Sequence, residues 1–191
     1  MAEAALRRGW TPDEFFAWLD EGHGGDHPWE LVDGEPRMMT RPSPQHAIIT
    51  GNVLRGLFPV LRGGSCRPFA GDFGIETKPN QLRYPDILVD CGPRDREHRI
   101  ARVPTVVIEV LSPSTRHLDR GVKLEEYRAT PSVRHVVLIE RDAVDVEVHT
   151  RGGTGWTMER ITDFAATLSL PAIGVTIPMA EVYEELEMAG S

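Results

Sequence analysis

Three ionisable residues, Asp86, Glu109 and Lys123, are of the types that metal-assisted hydrolysis uses. Asp86 opens the apolar run "DILV" after a proline, and Glu109 lies inside the apolar run "VVIEVL". Burying an ionised carboxylate without a partner is very costly, so Glu109 requires a cation, either a basic side chain or a metal ion. A structural ion pair with an arginine or with Lys123 is therefore one interpretation of Glu109.

A metal site is the other interpretation, because a second carboxylate is within reach. Asp86 and Glu109 are 23 positions apart (109 − 86), which is enough for two neighbouring strands and the loop that joins them. Two carboxylates on one face repel each other and raise each other's pKa, and a divalent cation between them removes that penalty. Oxygen ligands of this kind suit Mg²⁺ or Mn²⁺.

Lys123 is the basic side chain that the sequence offers to these carboxylates. Asp119, Lys123 and Tyr127 follow one another at intervals of four in a predicted helix, so they share one of its faces. Of the 21 lysine and arginine residues, only Lys78 and Lys123 are lysines, so arginine supplies most of the positive charge in this chain. Lysine differs from arginine because it can also act as a base.

The elements that must position these residues can be followed along the chain. A first helix is predicted at "TPDEFFAWLD", with a capping box between Thr11 and Glu14, and a β-hairpin follows with its turn at Asp33 and Gly34. A second helix is capped by Ser43, and its apolar residues recur at helical spacing. Further elements are predicted at "CRPFAGDFGIETKP", "RYPDILVD", "TVVIEVLS", "VRHVVLIE", "VDVEVHT" and "GWTMERIT" (strands), "LDRGVKLEEYRAT" (a third helix), and "VTIPMAEVYEELE" (a short strand with a closing helix).

This order of elements predicts an α/β fold with a mixed central β-sheet flanked by helices, preceded by an N-terminal helix and a β-hairpin. The 191 residues are expected to form a single domain over 1–191. No apolar stretch is long enough to cross a bilayer, and the N-terminus lacks the apolar core of a signal peptide, so we expect no membrane and a cytoplasmic location. Cys66 and Cys91 show no metal-ligand spacing and are expected to be free thiols.

The net charge of −8 argues against a broad basic surface that would bind nucleic acid through phosphate neutralisation alone. A local basic strip remains one interpretation of the loop between the two key strands. Acidic neighbours, Asp95 and Glu97, favour a solvated loop instead. The strip would consist of Arg94, Arg96, Arg99 and Arg102.

The order of these residues resembles the motif of the PD-(D/E)xK nuclease superfamily. A proline and an aspartate come first, an acidic residue in an apolar strand follows, and a lysine comes last. Within this superfamily, the chain resembles the putative restriction endonuclease family, from about Trp29 to the final "VTIPMAEVYEEL". The stretch "EVLSPST", followed by the series of Asp119, Lys123 and Tyr127, is the most distinctive part. The resemblance rests on "WELVDGE", "PSPQH", "PDILV", "VVIEVLSPST" and "LDRGVKLEEY".

This resemblance implies a restriction-endonuclease-like fold and Mg²⁺-dependent (or Mn²⁺-dependent) cleavage of phosphodiester bonds in nucleic acid, with DNA as the expected substrate. It implies that Asp86 and Glu109 hold the metal, with the backbone carbonyl of Val110 as a further ligand. Glu30 would be an additional acidic member of the site, and otherwise it is a solvated strand residue. His46 would reach the site from the second helix, and otherwise it is a capping or buried structural histidine.

The sequence departs from the superfamily pattern at one position. The lysine of the usual motif stands two residues after the acidic residue, where this chain has Leu111. Lys123, on the next helix, would then supply the cation. Lys123 would position or deprotonate the attacking water, or stabilise the pentacoordinate phosphorus.

Three other functions remain open from the sequence. The first is a catalytically degenerate nuclease fold that binds nucleic acid or a protein without cutting. The second is an interaction module associated with a toxin, with a homodimer as a possible assembly. The third is a metal-dependent phosphatase that acts on small phosphoesters, which a screen of small substrates against DNA would separate from a nuclease.

Overall fold

The computed structural model describes residues 9–95, 97–113 and 116–186. Contacts divide the chain into two compact units, one of Met1–Arg41 with Glu76–Arg83 and one of Pro42–Ile75 with Tyr84–Ser191. The single domain over 1–191 stays a prediction. In chain order the elements are α1 (Pro12–Asp20), β1 (Trp29–Val32), β2 (Glu35–Met38), α2 (Pro44–Leu61), β3 (Arg67–Ala70), β4 (Ile75–Lys78), β5 (Gln81–Arg83), β6 (Ile87–Asp90), β7 (Pro104–Leu111), α3 (Arg116–Leu118), a π-helix (Asp119–Lys123), α4 (Leu124–Ala129), β8 (His135–Glu140), β9 (Val146–Gly152), β10 (Gly155–Ile161), β11 (Thr167–Leu170), a 3₁₀ helix (Pro171–Ile173), β12 (Val175–Pro178) and α5 (Met179–Val182).

The first unit contains α1 and the β-hairpin. The capping box of α1 forms as predicted: the Thr11 hydroxyl accepts from the Glu14 amide, and the Glu14 carboxylate accepts from the Thr11 amide at 2.7 Å. Asp33 and Gly34 connect β1 to β2 with φ angles of 51° and 76°. Two consecutive positive φ angles are what a two-residue hairpin turn requires, which is why this pair of residues was a dependable signal.

The second unit is built on a six-stranded sheet in the order β10-β9-β8-β7-β6-β3. Strands β7 and β8 run parallel, while β3 with β6, β6 with β7, β8 with β9, and β9 with β10 run antiparallel. The sheet is therefore mixed, and the predicted α/β fold class is confirmed. All eight residues of β7 are buried, which agrees with its nearly continuous apolar sequence.

Apolar clusters cover both faces of this sheet. On one face, Ile49, Val53 and Leu57 of α2 pack with Ile87 and Ile108 of the sheet. The other face has a second cluster, which includes the following residues of β6, β7 and α4: Leu88, Val107, Leu111, Leu124 and Tyr127. Because successive strand residues alternate between faces, Asp86 and Glu109 fall on the face of the second cluster.

Three predicted elements differ from the observed ones. The strand predicted at "RYPDILVD" is interrupted at residues 84–86, so Asp86 immediately precedes β6. The third helix contains a π-helical turn between α3 and α4. The closing helix is the single turn α5, and Glu185 lies beyond it with a φ of 65°, a left-handed conformation that does not continue a helix.

Cys66 and Cys91 form a disulfide, so the prediction of free thiols is wrong. The pairing of Arg67 with Asp90 continues by one residue to set the two cysteines opposite each other across β3 and β6. Opposite residues of an antiparallel pair have their Cβ atoms close together. The sequence did not reveal the bond because β4 and β5, which join β1 and β2 in a separate four-stranded sheet, lie between β3 and β6 along the chain.

Within the described ranges, no helix combines the length and the apolar character needed to cross a bilayer.

Candidate active site

The register of β6 with β7 brings the two central carboxylates together. Ile87 pairs with Ile108 in this antiparallel ladder, and one further step sets Asp86 opposite Glu109. Residues opposite each other in an antiparallel pair point to the same face. The influence of Asp86 on the pKa of Glu109 is a second sign that the two groups are close.

Asp86 is held by two donors that reach the same oxygen. The Val110 amide donates to Oδ2 of Asp86 at 2.6 Å, and Nε2 of His46 lies 2.9 Å from that oxygen. The His46 side chain is 14% exposed and the Asp86 side chain 22% exposed, so this contact is largely shielded while the carboxylate still reaches solvent. The Ser43 hydroxyl caps α2 by accepting from the His46 amide, which fixes the turn that carries this histidine.

Glu109 is held in the same manner by donors from the helical segment. The Tyr127 hydroxyl donates to Oε1 of Glu109 at 2.7 Å, and Nζ of Lys123 lies 3.3 Å from Oε1. Lys123 is also 3.0 Å from Oδ1 of Asp119. The four side chains are buried, with Asp119 at 2% and Lys123 at 7% exposure. The ion pair that the sequence left open for Glu109 is therefore present as a contact.

Electrostatics at Glu109 are dominated by burial, which raises its pKa to about 8. Lys123 and the Tyr127 hydrogen bond oppose this increase in pKa, while Asp86 and Asp119 add to it through repulsion. Lys123 thus leaves the charge of three neighbouring carboxylates incompletely compensated. This arrangement favours either a proton on Glu109 or a bound cation.

The π-helix explains how Asp119 and Lys123 come to flank the strand. The Leu124 amide donates to the Asp119 carbonyl, a five-residue step that widens the turn relative to an α-helix. Such turns occur frequently at functional sites. The predicted shared face of Asp119, Lys123 and Tyr127 gave a sequence signal for this cluster, but Asp119 and Tyr127 were not assigned to the site from sequence.

Glu30 lies in the first compact unit. It is on β1, is 7% exposed, and pairs with Nη1 of Arg83 at 2.9 Å. Its interpretation as a solvated strand residue is wrong, because both partners of this ion pair are buried. Its catalytic role stays a prediction.

The donor set at Asp86 and Glu109 fits a hard divalent cation. No group of three or more His, Cys, Asp or Glu residues that could hold a metal is found in the described part of the chain. Side chains therefore offer a metal two carboxylates at this site, those of Asp86 and Glu109. Mg²⁺ commonly binds through one or two carboxylates and keeps several waters. Val110 also directs its amide to Asp86, and a strand residue directs its amide and its carbonyl to the same side. The Val110 carbonyl therefore faces the same edge as Asp86.

The arginine loop is exposed at Arg94, Arg99 and Arg102, and Arg96 lies outside the described residues. Arg102 lies 3.6 Å from Asp95, which also lies 3.1 Å from His98. Acidic neighbours therefore reduce the basic character of this loop, as the sequence suggested. A continuous basic strip remains a prediction.

Comparison with known proteins gives three findings. The family model Uma2, described as "Putative restriction endonuclease", matches residues 12–180. An uncharacterized protein from Synechocystis sp. is 30% identical over 181 residues, covering 92% of each chain. A crystal structure described as a putative nuclease belonging to DUF820 from Anabaena variabilis matches with a TM-score of 0.72 at 18% identity, over 91% of this chain and 97% of that chain. This match establishes the restriction-endonuclease-like fold.

Proposed function

We propose that this chain, which belongs to the putative restriction endonuclease family, is a metal-dependent endonuclease that hydrolyses phosphodiester bonds of DNA. The family and the nuclease-like fold support a nuclease-like role. The finer assignment depends on the site: Asp86 and Glu109 on one face of the sheet, with Lys123 beside them.

The observation that carries the proposal is the way in which the protein holds both carboxylates. Asp86 receives its two donors at Oδ2, and Glu109 receives its two donors at Oε1. Among the described residues, no hydrogen bond or ion pair reaches the second oxygen of either carboxylate. Each side chain is thereby oriented by one oxygen and keeps the other for a ligand, which is how carboxylates at metal sites are commonly supported.

We assign Asp86, Glu109 and the Val110 carbonyl as the groups that would hold Mg²⁺ or Mn²⁺. When bound, such an ion would neutralise a phosphate oxygen and lower the pKa of a water molecule. His46 orients Asp86, and Tyr127 orients Glu109, through the contacts at Oδ2 and Oε1.

Lys123 would stabilise the charge that develops on the phosphate. Its Nζ lies 3.3 Å from Oε1 of Glu109 and 3.0 Å from Oδ1 of Asp119, so both neighbours hold it in place beside the proposed metal ligands. We assign it charge stabilisation, with positioning or deprotonation of the attacking water as the alternative role. An ammonium beside the transferring phosphate contributes most where burial lowers the effective dielectric constant.

A catalytically degenerate fold is the second candidate, and one observation favours it. The Glu109–Lys123 ion pair already gives the buried carboxylate a partner, and side chains alone provide only two carboxylates to a metal. This candidate predicts no affinity for divalent cations, because the ion pair would then be purely structural.

Calorimetric titration of Mn²⁺ into the wild type and into Asp86→Ala separates the two candidates. We expect binding in the wild type and its loss in the variant. Asp142→Ala is the matched control, because this carboxylate is 50% exposed and on a turn after β8, and it should bind as the wild type does. An absence of binding at millimolar Mn²⁺ in the wild type would favour the degenerate fold.

Cleavage of a closed circular plasmid then tests the endonuclease activity, because a circle offers no ends to an exonuclease. The corresponding RNA and small phosphoesters identify the substrate class. We place the activity in the cytoplasm, where thiols are kept reduced. The assay therefore needs samples with and without a reductant, because Cys66 and Cys91 are bonded in this structure.

A further inference from the structure

A cavity of about 460 Å³ lies at the β3 edge of the six-stranded sheet. Ligand-binding clefts commonly have volumes of about 300 to 1,000 Å³. The lining combines two phenylalanines with several cationic side chains, and it includes Arg67, Phe69, Phe73, Arg94, His98 and Arg102. None of these residues belongs to the carboxylate site described above.

Strand register places this cavity on the same face of the sheet as Asp86 and Glu109. Phe69 pairs with Leu88, and Leu88 pairs with Val107 in the next ladder. Cross-strand partners share a face, and Leu88 is two positions from Asp86, so Phe69 and Asp86 point to the same side. One strand spacing and two strand residues separate them, which corresponds to about 8 Å between their Cα atoms.

The aromatic part of the cavity offers a stacking surface. The rings of Phe69 and Phe73 are stacked with their centroids 4.2 Å apart and an angle of 25° between their planes. Both side chains are half-buried, so the protein holds the ring pair in place while the rings still line the cavity. Aromatic side chains on which bases stack are characteristic of proteins that bind single-stranded nucleic acid.

The charged part of the cavity suits a phosphate. Arg94 is exposed and makes no ion pair or hydrogen bond with another residue of the described ranges. Arg102 lies 3.6 Å from Asp95, a distance that leaves it available to a stronger anion. Two carboxylates also line the cavity, and each has a basic neighbour: Asp90 lies 3.7 Å from Arg67 and accepts from two backbone amides at 3.2 and 2.7 Å, and Asp95 lies beside His98 and Arg102.

We propose that this cavity, defined by Arg67, Phe69, Phe73, Arg94 and Arg102, is a subsite for one unpaired nucleotide beside the scissile bond. The base stacks on the phenylalanine pair, and Arg94 and Arg102 bind the adjacent phosphate. The nucleotide must be unpaired because the faces of a base within a duplex are covered by its neighbours. The inference deepens the proposed function and rests on it for the position of the scissile bond.

Binding is measured in EDTA, so that cleavage does not interfere, with fluorescently labelled single-stranded hexamers of thymidylate and uridylate and with a blunt DNA duplex. We expect Phe69→Leu to weaken binding of the single strand about tenfold, since one base loses its stacking partner. Arg94→Gln should reduce the slope of log affinity against log salt by about 0.7, the contribution of one phosphate contact. Phe58→Leu and Arg62→Gln are the matched controls, because both residues are exposed in or next to α2, which packs on the other face.

Equal effects of Phe69→Leu and Phe58→Leu would overturn the proposal. So would a wild type that binds none of the hexamers, or duplex binding as tight as single-strand binding. Failure of the nuclease proposal gives a different result: the single strand binds through Phe69, but the wild type with Mn²⁺ cleaves nothing. Conversely, if the wild type cleaves and Phe69→Leu leaves kcat and KM unchanged, the endonuclease stands and the subsite is wrong.

Discussion

Binding of a divalent cation should depend steeply on pH, because the metal must replace a proton on Glu109. Burial raises the pKa of Glu109 to about 8, so the free protein holds a proton there at neutral pH. A carboxylate must be deprotonated to bind a metal, and metal binding therefore releases that proton. The experiment compares titrations with Mn²⁺ at pH values from 6 to 8.

The expected magnitude follows from that pKa. With a pKa of about 8, roughly 1% of Glu109 is ionised at pH 6 and about half at pH 8. If the metal binds the ionised form alone, the apparent affinity rises about fiftyfold over this range. About one proton should be released per bound ion at pH 6, and about half a proton at pH 8.

Calorimetry in buffers with different ionisation enthalpies measures the released protons directly. Glu109→Gln is the comparison: it should bind Mn²⁺ more weakly and with little dependence on pH. Proton release near zero at pH 6, with constant affinity up to pH 8, would refute the reasoning. Glu109 would then already be ionised through Lys123, or it would not be a ligand.

The same shift in pKa makes a prediction for stability without metal. The folded chain keeps a proton on Glu109 that the unfolded chain releases near the ordinary value of 4.5. The stability linked to this proton is complete below pH 4.5, and it is lost as the pH rises towards about 8. Urea unfolding of the wild type should therefore show a decline in this window that Glu109→Gln lacks.

Three further substitutions test separate parts of the structure. Cys66→Ser should lower the free energy of unfolding by about 3 kcal/mol, because the bond to Cys91 closes a loop of 25 residues; unfolding in urea should show the difference only without reductant. Lys123→Arg should preserve Mn²⁺ binding but lower kcat on plasmid DNA about a hundredfold, since a guanidinium does not replace a compact ammonium; an unchanged kcat would count against the assigned role. Tyr183→Phe removes a 2.9 Å hydrogen bond to the Glu140 carbonyl and should cost about 1 kcal/mol in a thermal melt, with Mn²⁺ binding as in the wild type.

Interactions between residues close in sequence were predictable. The capping box of Thr11 and Glu14 joins residues three positions apart, and Asp33 with Gly34 forms a turn by itself. Such features depend on local chemistry, and each residue type has a clear physical reason to be there. The mixed sheet followed from the same local patterns, because runs of apolar residues marked β7 and β8.

Pairings between distant segments were not predictable in the same way. The disulfide depends on β3 lying next to β6, and no local pattern of residues specifies that neighbour. The contact of His46 with Asp86 joins a helix start to a strand start 40 positions later (86 − 46). Sequence left several roles open for this histidine because its ring is directed by the packing of α2, which periodicity locates only approximately.

The π-helix shows a different limit of sequence reasoning. Spacing placed Asp119, Lys123 and Tyr127 on one face, and their side chains do converge near Glu109. The wider turn itself has no signature in residue spacing, because it differs from an α-helix by one backbone hydrogen bond. The sequence therefore predicted that these three residues share a face, but it did not predict the π-helical backbone that brings Asp119 within 3.0 Å of Lys123.

Leu111 explains why the cation comes from a helix in this chain. It shares the face of Glu109, is fully buried in an apolar cluster, and pairs across the ladder with Glu140. A lysine at that position would have to enter packed apolar surroundings beside Glu140, whose carboxylate two arginines already neutralise. Lys123 instead reaches Glu109 from the π-helix, so in the proposed site the helical segment supplies the cation, while Glu109 lies on β7 and Asp86 immediately precedes β6. Because these two functions lie on different elements, substitution of the lysine should affect catalysis while leaving metal binding in place.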